Sequence, residues 1–487
     1  MLVRNAPLRK SIVMALLLIV LVVGPAIRCE GCFTIVVGKD ASADGYVIIA
    51  HNEDDNPPQI VNHHKVPRKK YAADEKVQLI NGGELEQVRQ SWAAIRSEMP
   101  GMLFSDGYVN EWGVCVTSNY CPSREDKPKI TDGGIGFMLR RLIAERAKSA
   151  REGVLLAGKL VERFGYVDTG RTYFICDPNE GWLFSVVNGK HWLAQKVPDN
   201  EVAMVANTYT IRGVDLSDKR NCLASSDIVE YAVSRGWYEP EKDGVFDFAS
   251  VYANRQAASN PANFGRQWVG LKYVADKEIA LEPDLPFSVV PKQKVGVEQI
   301  MEILRDDRSG DELRSLLPEE TPYEINRAIC VSRTQTSFVV QLRKDKPLDI
   351  GIVYWVCLGP PCSSFYIPFH FGIGEFPAGF RLKSEKPSEE FYNEKIHCPF
   401  KADPLQAFWT FSNFHNKVYG DSDKMQQVKT AIRQIGQTVF DLQKSFEETA
   451  CRLYEEDKTT AMQLLTNYSD GIYLSSIEAM GKLLSDN

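Results

Sequence analysis

Cys32 is the residue whose side chain and position most clearly indicate chemistry in this sequence. A cysteine thiolate is a strong nucleophile. A chain that begins at this residue would also carry an α-amine with a pKa of about 7.7–8.0. Residues 33–38 follow as a β-branched apolar run, FTIVVG, which predicts a strand directly after the thiol. A thiol beside a basic amine supplies the nucleophile and the base for acyl transfer to a cysteine.

The segment before Cys32 has the pattern of a cleavable export signal. Basic residues precede an almost wholly apolar run at 11–23, and Gly31 is a small residue directly before the expected cleavage point. The apolar run is shorter than the about 20 residues that a membrane-spanning helix needs. We therefore expect residues 1–31 to be a signal peptide, or a signal ending at Ala26 with a short propeptide, and the mature chain to begin at Cys32.

Composition and charge narrow the class of protein. Hydrophobic residues make up 44% and charged residues 25% of the 487 residues, which is typical of a globular protein. The net charge is −7 and the sequence has no long basic stripe, so nucleic acid is not an expected partner. We expect an exported protein without a membrane span after signal removal. Its compartment would be secreted, periplasmic or otherwise extracytoplasmic, or a lysosomal or vacuolar lumen in a eukaryote. The sequence does not decide whether the protein forms a homo-oligomer.

Cysteine and histidine spacing gives poor support for a metal site. No CxxC pair follows Cys32, and no HExxH sequence occurs. The doublet His63-His64 is predicted to be a solvated loop pair, because adjacent side chains point apart in regular structure. We therefore expect no metal and no cofactor. Eleven cysteines allow disulfides in an oxidising compartment, but their spacing does not fix a pairing.

The remaining pattern predicts mixed α and β structure. A turn-rich stretch at 39–45 separates the first strand from a second at 46–50, which delivers His51-Asn52-Glu53-Asp54 at its end. The further predicted elements are helices at 136–149, 153–164 and 227–234, a hairpin at 172–187 with its turn at 177–180, strands at 202–206, 337–342 and 351–358, and a mostly helical segment at 404–484 with breaks near Gly420 and Gly471.

Short segments spread along the chain resemble one known family. They are Cys32–Gly45, Ala50–Asp54, Asn110–Val114 with Thr117–Asn119, Gly165-Tyr166 with Gly170–Tyr173, Val205–Asn207, Trp355, Gly359–Cys362 and Ile367-Pro368. In their order and spacing these segments resemble the cysteine dipeptidases, N-terminal-nucleophile hydrolases that include dipeptidase A-type enzymes and secernins. Bile salt hydrolase and penicillin V acylase are more distant relatives. The resemblance covers about residues 32–470.

The resemblance implies a fold of class α+β. Its expected form is a four-layer αββα sandwich of the N-terminal-nucleophile hydrolase type at 32–400, with a helical C-terminal extension at 401–487 packed on it. The implied activity is that of a dipeptidase acting on small peptides. Cys32 would form a thioester acyl-enzyme, and its α-amine would move the proton without a cofactor.

Several residues match positions that serve catalysis in that family. Asp54 would orient the α-amine of the nucleophile. Asn207, which follows an apolar strand, is the first candidate for an oxyanion donor, with a turn-capping role as its competitor. Asn119 is the second candidate, and Thr117 or Ser118 would take that role if the alignment slips by one position.

Three basic residues are candidates for binding substrate. Arg171 and Arg266 would bind a substrate carboxylate, with a structural salt bridge as the competing interpretation. His51 stands where the resembled family usually has arginine. A protonated His51 would replace part of that positive charge, with a reference pKa near 6.5. A neutral His51 that only packs in the strand is an equal alternative.

Two other functions remain open at this point. A linear-amide acylase of the bile salt or penicillin V type would use the same nucleophile, and substrate profiling separates it from a dipeptidase. A non-enzymatic binding protein, lipid-anchored through Cys32, is the alternative from a different class. Glu30 fits a lipoprotein signal poorly, and lipidation would consume both the thiol and the amine.

Overall fold

The computed structural model describes residues 31–55, 60–79, 81–99, 106–319, 327–381 and 405–485. The strands are β1 Phe33–Val37, β2 Val47–Asp54, β3 Asn62–Val66, β4 Lys69–Lys70, β5 Lys76–Gln78, β6 Glu84–Glu86, β7 Gln90–Ser91, β8 Ala94–Glu98, β9 Tyr108–Asn110, β10 Cys115–Tyr120, β11 Tyr166–Cys176, β12 Gly181–Gly189, β13 Trp192–Lys196, β14 Val202–Val205, β15 Cys222–Ala224, β16 Ser288–Val289, β17 Thr334–Leu342, β18 Ile352–Leu358 and β19 Ile367–His370. The helices are α1 Met138–Arg146, α2 Ala150–Phe164, α3 Ile228–Ser234, α4 Pro240–Asp243, α5 Phe248–Tyr252, α6 Arg255–Ala258, α7 Pro261–Val274, α8 Val297–Leu304, α9 Ser309–Leu316, α10 Leu348–Gly351, α11 Ala407–Val418, α12 Ser422–Glu456 and α13 Lys458–Ser485.

Most of these strands belong to two antiparallel sheets. Within the described ranges, seven strands pair in the order β16-β14-β1-β2-β17-β18-β19, and eight pair in the order β15-β13-β12-β11-β10-β9-β8-β3. Every residue of β1 and β2 is buried. The apolar run that predicts β1 therefore reflects a strand covered on both faces. The strand that follows Cys32 is an interior strand, between β14 and β2.

Three apolar clusters show what covers each sheet. The first combines side chains of the two sheets, including Val36 and Ile49 from one and Phe174 from the other. The second combines the seven-stranded sheet with α7 and α8, and the third combines the eight-stranded sheet with α1 and α2. The chain therefore has a mixed α/β fold in which helices and a second sheet bury the strand that follows Cys32.

Local turn chemistry explains why one predicted hairpin forms where the sequence places it. The Asp177 carboxylate accepts hydrogen bonds from the backbone amides of Asn179 at 2.6 Å and Glu180 at 3.1 Å. An aspartate that bonds the amides two and three residues ahead stabilises a tight turn. The predicted turn at 177–180 between β11 and β12 is confirmed.

The C-terminal helices follow the predicted pattern with one error. The break near Gly420 is confirmed, since this glycine lies between α11 and α12 at a φ of 92°. The predicted break near Gly471 is wrong, because α13 continues through it. A glycine inside a helix costs only about 1 kcal/mol, which packing readily offsets. The chain instead breaks at Asp457, whose carboxylate caps the amides of Thr459 and Thr460. Among the described helices, none has the length and apolar character needed to cross a membrane.

The histidine doublet lies in a strand and not in a solvated loop. His63, in β3, is fully buried and packs against the rings of Tyr354 and Phe376. His64 points to the other side and hydrogen-bonds to Glu98 at 2.6 Å. The prediction was wrong because the pairing of β3 with β8 turns alternate side chains inward, and short-range sequence does not reveal that pairing.

Candidate active site

Cys32 immediately precedes β1 and is held from two sides. The residue is only 1% exposed. Its thiol donates a hydrogen bond to Oε1 of Glu53 at 3.2 Å, and its carbonyl accepts one from Nη1 of Arg266 at 2.9 Å. Strand β2 therefore positions the sulfur, and helix α7 positions the backbone.

Helix α7 reaches the start of β1 because it presents a glycine to the sheet. A Cβ on Gly270 would lie 2.4 Å from the sulfur of Met204 and 2.8 Å from the ring of Phe33, closer than real Cβ atoms approach. Arg266 lies four residues earlier and therefore on the same face of the helix. The side chain of Asn260 caps the helix, which begins at Pro261. The close approach at the glycine brings the arginine to the Cys32 carbonyl.

Arg266 also fixes the orientation of Asn207, which follows β14. Its Nη2 donates to Oδ1 of Asn207 at 2.7 Å, and Nδ2 of Asn207 donates to the carbonyl of Tyr120 at 3.0 Å. Arg266 is fully buried. Burial, reinforced by the charge of Arg327, lowers the pKa of the guanidinium to about 9. Its hydrogen bonds go to protein oxygens, so in this structure Arg266 organises the site.

Asp54 lies beside the peptide that precedes Cys32. Its carboxylate accepts hydrogen bonds from Nη2 of Arg327 and from Oγ1 of Thr334, both at 2.6 Å. The same Nη2 donates to the carbonyl of Gly31 at 2.8 Å. Asp54 and Arg327 together hold the chain at the proposed cleavage point. No sequence motif marks Arg327, which lies far from this segment in the sequence.

His51 and Glu53 lie on one face of β2 and contact each other. The distance between Nε2 of His51 and Oε2 of Glu53 is 2.8 Å, and Nδ1 of His51 lies 2.8 Å from Oγ1 of Thr34. Burial lowers the pKa of His51 to about 4 and raises the pKa of Glu53 to about 8, because a charged form is poorly solvated there. Of the two alternatives for His51, these shifts favour the neutral imidazole.

Asn119 comes from the other sheet and uses both amide hydrogens inside the protein. Its Nδ2 donates to the carbonyls of Val205 and Ala206, each at 2.8 Å. Its Oδ1 accepts from Thr34 at 2.6 Å. In this arrangement Asn119 offers no amide hydrogen to an oxyanion, because an amide nitrogen has only two. Its neighbours Thr117 and Ser118 are buried in β10.

Arg171 lies on β11, where it is the register partner of Tyr120. Its guanidinium pairs with Asp168 at 3.4 Å and lies 4.4 Å from the centre of the Phe137 ring. This contact agrees with the salt-bridge interpretation and leaves the substrate role as a prediction.

Sequence reasoning did not assign a role to Glu53 or Thr34. The predicted strand ended at Ala50, whereas β2 continues to Asp54. Strand alternation over 51–54 would have placed His51 and Glu53 on one face. Cys32 and Thr34 are also two residues apart in extended chain, so their side chains point to the same face.

One group among the described residues has ligand atoms close enough for a metal ion. The atoms of Cys32, His51 and Glu53 lie within 4.8 Å of one another. Their mutual hydrogen bonds account for this proximity, so we assign no metal to them. All cysteines within the described ranges are free thiols.

Three similar known proteins all carry dipeptidase names. The chain is 28% identical over 387 residues to a "Probable dipeptidase" of Latilactobacillus sakei, covering 74% of this chain and 78% of the relative. It is 26% identical over 451 residues to "Probable dipeptidase B" of Streptococcus pyogenes serotype M1, covering 88% and 84%. It is also 26% identical over 407 residues to a "Dipeptidase" of Bifidobacterium longum, covering 74% and 75%.

A solved structure and a family model complete the comparison. A mutant conjugated bile acid hydrolase from Clostridium perfringens aligns with 14% identity over 67% of this chain and 89% of that chain, with a TM-score of 0.29. The model of Peptidase family C69 matches residues 31–432. That match covers most of the sequence and begins one residue before Cys32, in agreement with the resemblance found in the short segments. The chain belongs to Peptidase family C69 and is a peptidase.

Proposed function

We propose that this peptidase is a dipeptidase whose nucleophile is the thiol of Cys32, exposed together with its α-amine by N-terminal processing. The observation that carries the proposal is the setting of Cys32 at the start of an interior strand. Its thiol bonds to Glu53 and its carbonyl to Arg266. The dipeptidase names of the relatives support the substrate class.

We also propose that the fold is the four-layer αββα sandwich, with residues 401–487 as a C-terminal extension. Two sheets that share one apolar cluster, and helices that cover the outer face of each sheet, support that arrangement. Its function is to hold residues of both sheets around one buried thiol.

The proposed reaction has two steps on the sulfur of Cys32. The thiolate attacks the carbonyl carbon of the dipeptide, and the C–N bond breaks as the leaving amine takes a proton. The C–S bond formed in the attack remains, so the acyl group is left on the sulfur as a thioester. Water attacks that thioester, releases the free carboxylate and returns the proton to the enzyme.

Asn207 is the proposed donor to the oxyanion. One hydrogen of its amide goes to the carbonyl of Tyr120, and Arg266 holds its Oδ1. This arrangement leaves the second amide hydrogen for a substrate oxygen. A preorganised neutral donor of this kind is worth about 10²–10³-fold in kcat. Asp54, fixed by Arg327 and Thr334, would orient the α-amine created by cleavage after Gly31.

Export and maturation belong to the same proposal. Residues 1–31 would be removed as a signal, either directly or through a short propeptide that the chain itself releases. The substrates would be small peptides in an extracytoplasmic compartment. In the Cys32→Ala variant, retention of residues 27–31 would indicate self-processing, because the nucleophile needed for it is missing.

The test combines the mass of the mature N-terminus with hydrolysis by Cys32→Ser. We expect the exported protein to begin at an unmodified Cys32 and to cleave dipeptides. The serine variant should fold but lose at least about 10³-fold in kcat/KM, because a hydroxyl is a much weaker nucleophile than a thiolate near neutral pH. Full activity after complete iodoacetamide labelling of Cys32 would refute the assignment. A lipidated cysteine would indicate the binding protein instead.

A further inference from the structure

A continuous chain of hydrogen bonds runs from the Cys32 thiol to the backbone of a neighbouring strand. Every residue in it is buried, at 9% exposure or less. In order, the bonds join Cys32 Sγ to Glu53 Oε1, Glu53 Oε2 to His51 Nε2, His51 Nδ1 to Thr34 Oγ1, Thr34 Oγ1 to Asn119 Oδ1, and Asn119 Nδ2 to the carbonyls of Val205 and Ala206.

Asn119 sets the direction of this chain. Carbonyl oxygens only accept, so both hydrogens of its Nδ2 go to Val205 and Ala206. The amide cannot be flipped without placing two oxygens against it. Its Oδ1 is therefore an acceptor, and the hydroxyl of Thr34 must donate its single hydrogen to this oxygen, at an O–O distance of 2.6 Å.

The direction set by Asn119 fixes the tautomer of His51. Because the Thr34 hydroxyl has already donated its hydrogen, it accepts from the imidazole, and the ring carries a hydrogen on Nδ1. Nitrogen Nε2 then faces Oε2 of Glu53 at 2.8 Å, with one proton shared between the two atoms. The other oxygen of Glu53 accepts from the Cys32 thiol.

We propose that Glu53 and His51 form the proton acceptor for the Cys32 thiol, with Glu53 as a catalytic residue and His51 as a positioning residue that acts through it. This inference rests on the proposed role of Cys32 as the nucleophile. The S–H bond breaks and its proton moves to Oε1 of Glu53. The O–H bond at Oε2 breaks at the same time, and that proton moves to Nε2 of His51. The products are a thiolate, a neutral Glu53 and an imidazolium, so charge and protons balance.

When the leaving amine departs, a proton moves from Nε2 of His51 to Oε2 of Glu53 and another from Oε1 of Glu53 to the leaving nitrogen, because the sulfur is by then bonded to the acyl carbon. Glu53 is then a second proton acceptor for the thiol, in addition to the α-amine of Cys32, since the thiol already donates a hydrogen bond to it. A positive charge would appear on His51 only while the sulfur is anionic.

The electrostatics of the pocket agree with this resting state. Burial raises the pKa of Glu53 to about 8 and lowers that of His51 to about 4, so near neutral pH the shared proton rests on the carboxyl. Nitrogen Nε2 is therefore unprotonated in the resting state, and burial makes the imidazolium a transient form. The charged and titratable groups that act on this pair are Asp54, Asp55, Asp106, Arg140, Arg171 and Cys32. Asp106 and Asp54 favour the transient imidazolium, and Arg140 and Arg171 oppose it.

The decisive variant is Glu53→Gln, because glutamine can make the same hydrogen bonds. Its amide oxygen would accept from the thiol and its amide nitrogen would donate to Nε2 of His51, but it cannot pass a proton on. We expect kcat/KM for dipeptides to fall by about 10²–10⁴-fold, the range for a general base. Iodoacetamide labelling of Cys32 should shift to higher pH. The matched control is Glu125→Gln, a buried glutamate bonded to Tyr231 and Arg235, which should keep both values.

A second measurement on the wild-type protein does not depend on any variant folding. Nitrogen-15 NMR of labelled histidine should show His51 as the neutral form with its hydrogen on Nδ1. A hydrogen on Nε2 at pH 7 would overturn the proposal. So would a Glu53→Gln enzyme with the wild-type pH profiles of labelling and kcat/KM. The proposed function itself would fail separately, through an active Cys32→Ser variant.

Discussion

At the residue scale, the candidate site uses a small number of buried polar groups that satisfy one another. Thr34 of β1 and His51 and Glu53 of β2 lie beside Cys32, which precedes β1, and Asn119 completes the chain from β10. Buried polar groups without partners cost free energy, so such a network is stable only when every member is bonded. The consequence is a site whose proton positions are set before substrate arrives.

Replacing Glu53 by glutamine should change how stability depends on pH. Burial raises the pKa of Glu53 from 4.5 to about 8, so between those values the folded protein holds a proton that the unfolded chain has lost. Stability from this group therefore falls as pH rises. His51, lowered from 6.5 to about 4, gives the opposite slope between those two values. The two slopes cancel between pH 4.5 and 6.5 and leave a net fall between pH 6.5 and 8.

Urea unfolding at several pH values measures this difference. One proton corresponds to about 1.4 kcal/mol per pH unit, so wild type should lose about 2 kcal/mol between pH 6.5 and 8 relative to Glu53→Gln. Below pH 6.5 the variant alone should gain stability as pH rises, because only the His51 slope remains. Parallel curves for the two proteins would show that Glu53 is ionised in the folded state.

At the scale of elements, the contact between α7 and the start of β1 decides the geometry of the nucleophile. Arg266 reaches the Cys32 carbonyl only because Gly270 lets the helix lie against Phe33 and Met204. The Asn260 cap fixes where α7 begins, and Gly270 lets the helix approach β1, so both determine where the Arg266 guanidinium lies. This helix contributes to the site without supplying a nucleophile or a base.

Gly270→Ala should therefore destabilise the protein and impair catalysis. The new Cβ meets atoms at 2.4 and 2.8 Å, and overpacking of this kind typically costs about 1–3 kcal/mol. The helix would move away from β1, and kcat/KM should fall with it. The matched control is Gly436→Ala in α12, where nothing lies within 4 Å, and where alanine should raise stability by about 0.5–1 kcal/mol. Equal effects in denaturant unfolding would contradict the close approach of α7.

At the scale of the whole molecule, α12, most of which lies beyond the family match, is tied to the seven-stranded sheet through the buried carboxylate of Glu447. The carboxylate of Glu447 in α12 accepts two hydrogen bonds of 2.7 Å from Arg343 and contacts His370 and Lys346. Although burial opposes its ionisation, hydrogen bonds from His370 and Arg343 hold the pKa of Glu447 well below its usual range. The charge therefore fixes where α12 lies on β17 and β19.

Glu447→Gln should cost about 3–5 kcal/mol of unfolding free energy. The substitution keeps the shape but leaves the buried guanidinium of Arg343 without a counter-charge. The control is Glu478→Gln on α13, whose partner Lys482 is exposed, and this variant should unfold like wild type. Equal midpoints for the two variants in guanidinium chloride would show that the buried cluster does not anchor the helix.

Much of the local structure, and the family, could be predicted from the sequence. The strand after Cys32, the hairpin turn at 177–180 and the helices near 138–164 and 228–234 follow from short-range patterns, and the structure confirms them. The resemblance to the dipeptidases is confirmed by the family match. Such features are predictable because propensity and periodicity act over a few residues.

The partners inside the site were decided by tertiary structure alone. Thr34 and Asn119 are 85 residues apart, Cys32 and Arg266 are 234 apart, and Asp54 and Arg327 are 273 apart. The sequence determined that Cys32 precedes a strand and that a polar run comes at the end of the next strand. It could not determine that Glu53 bonds the thiol or that Arg266 supports its carbonyl, because those contacts depend on how sheets and helices pack and no local pattern encodes that packing.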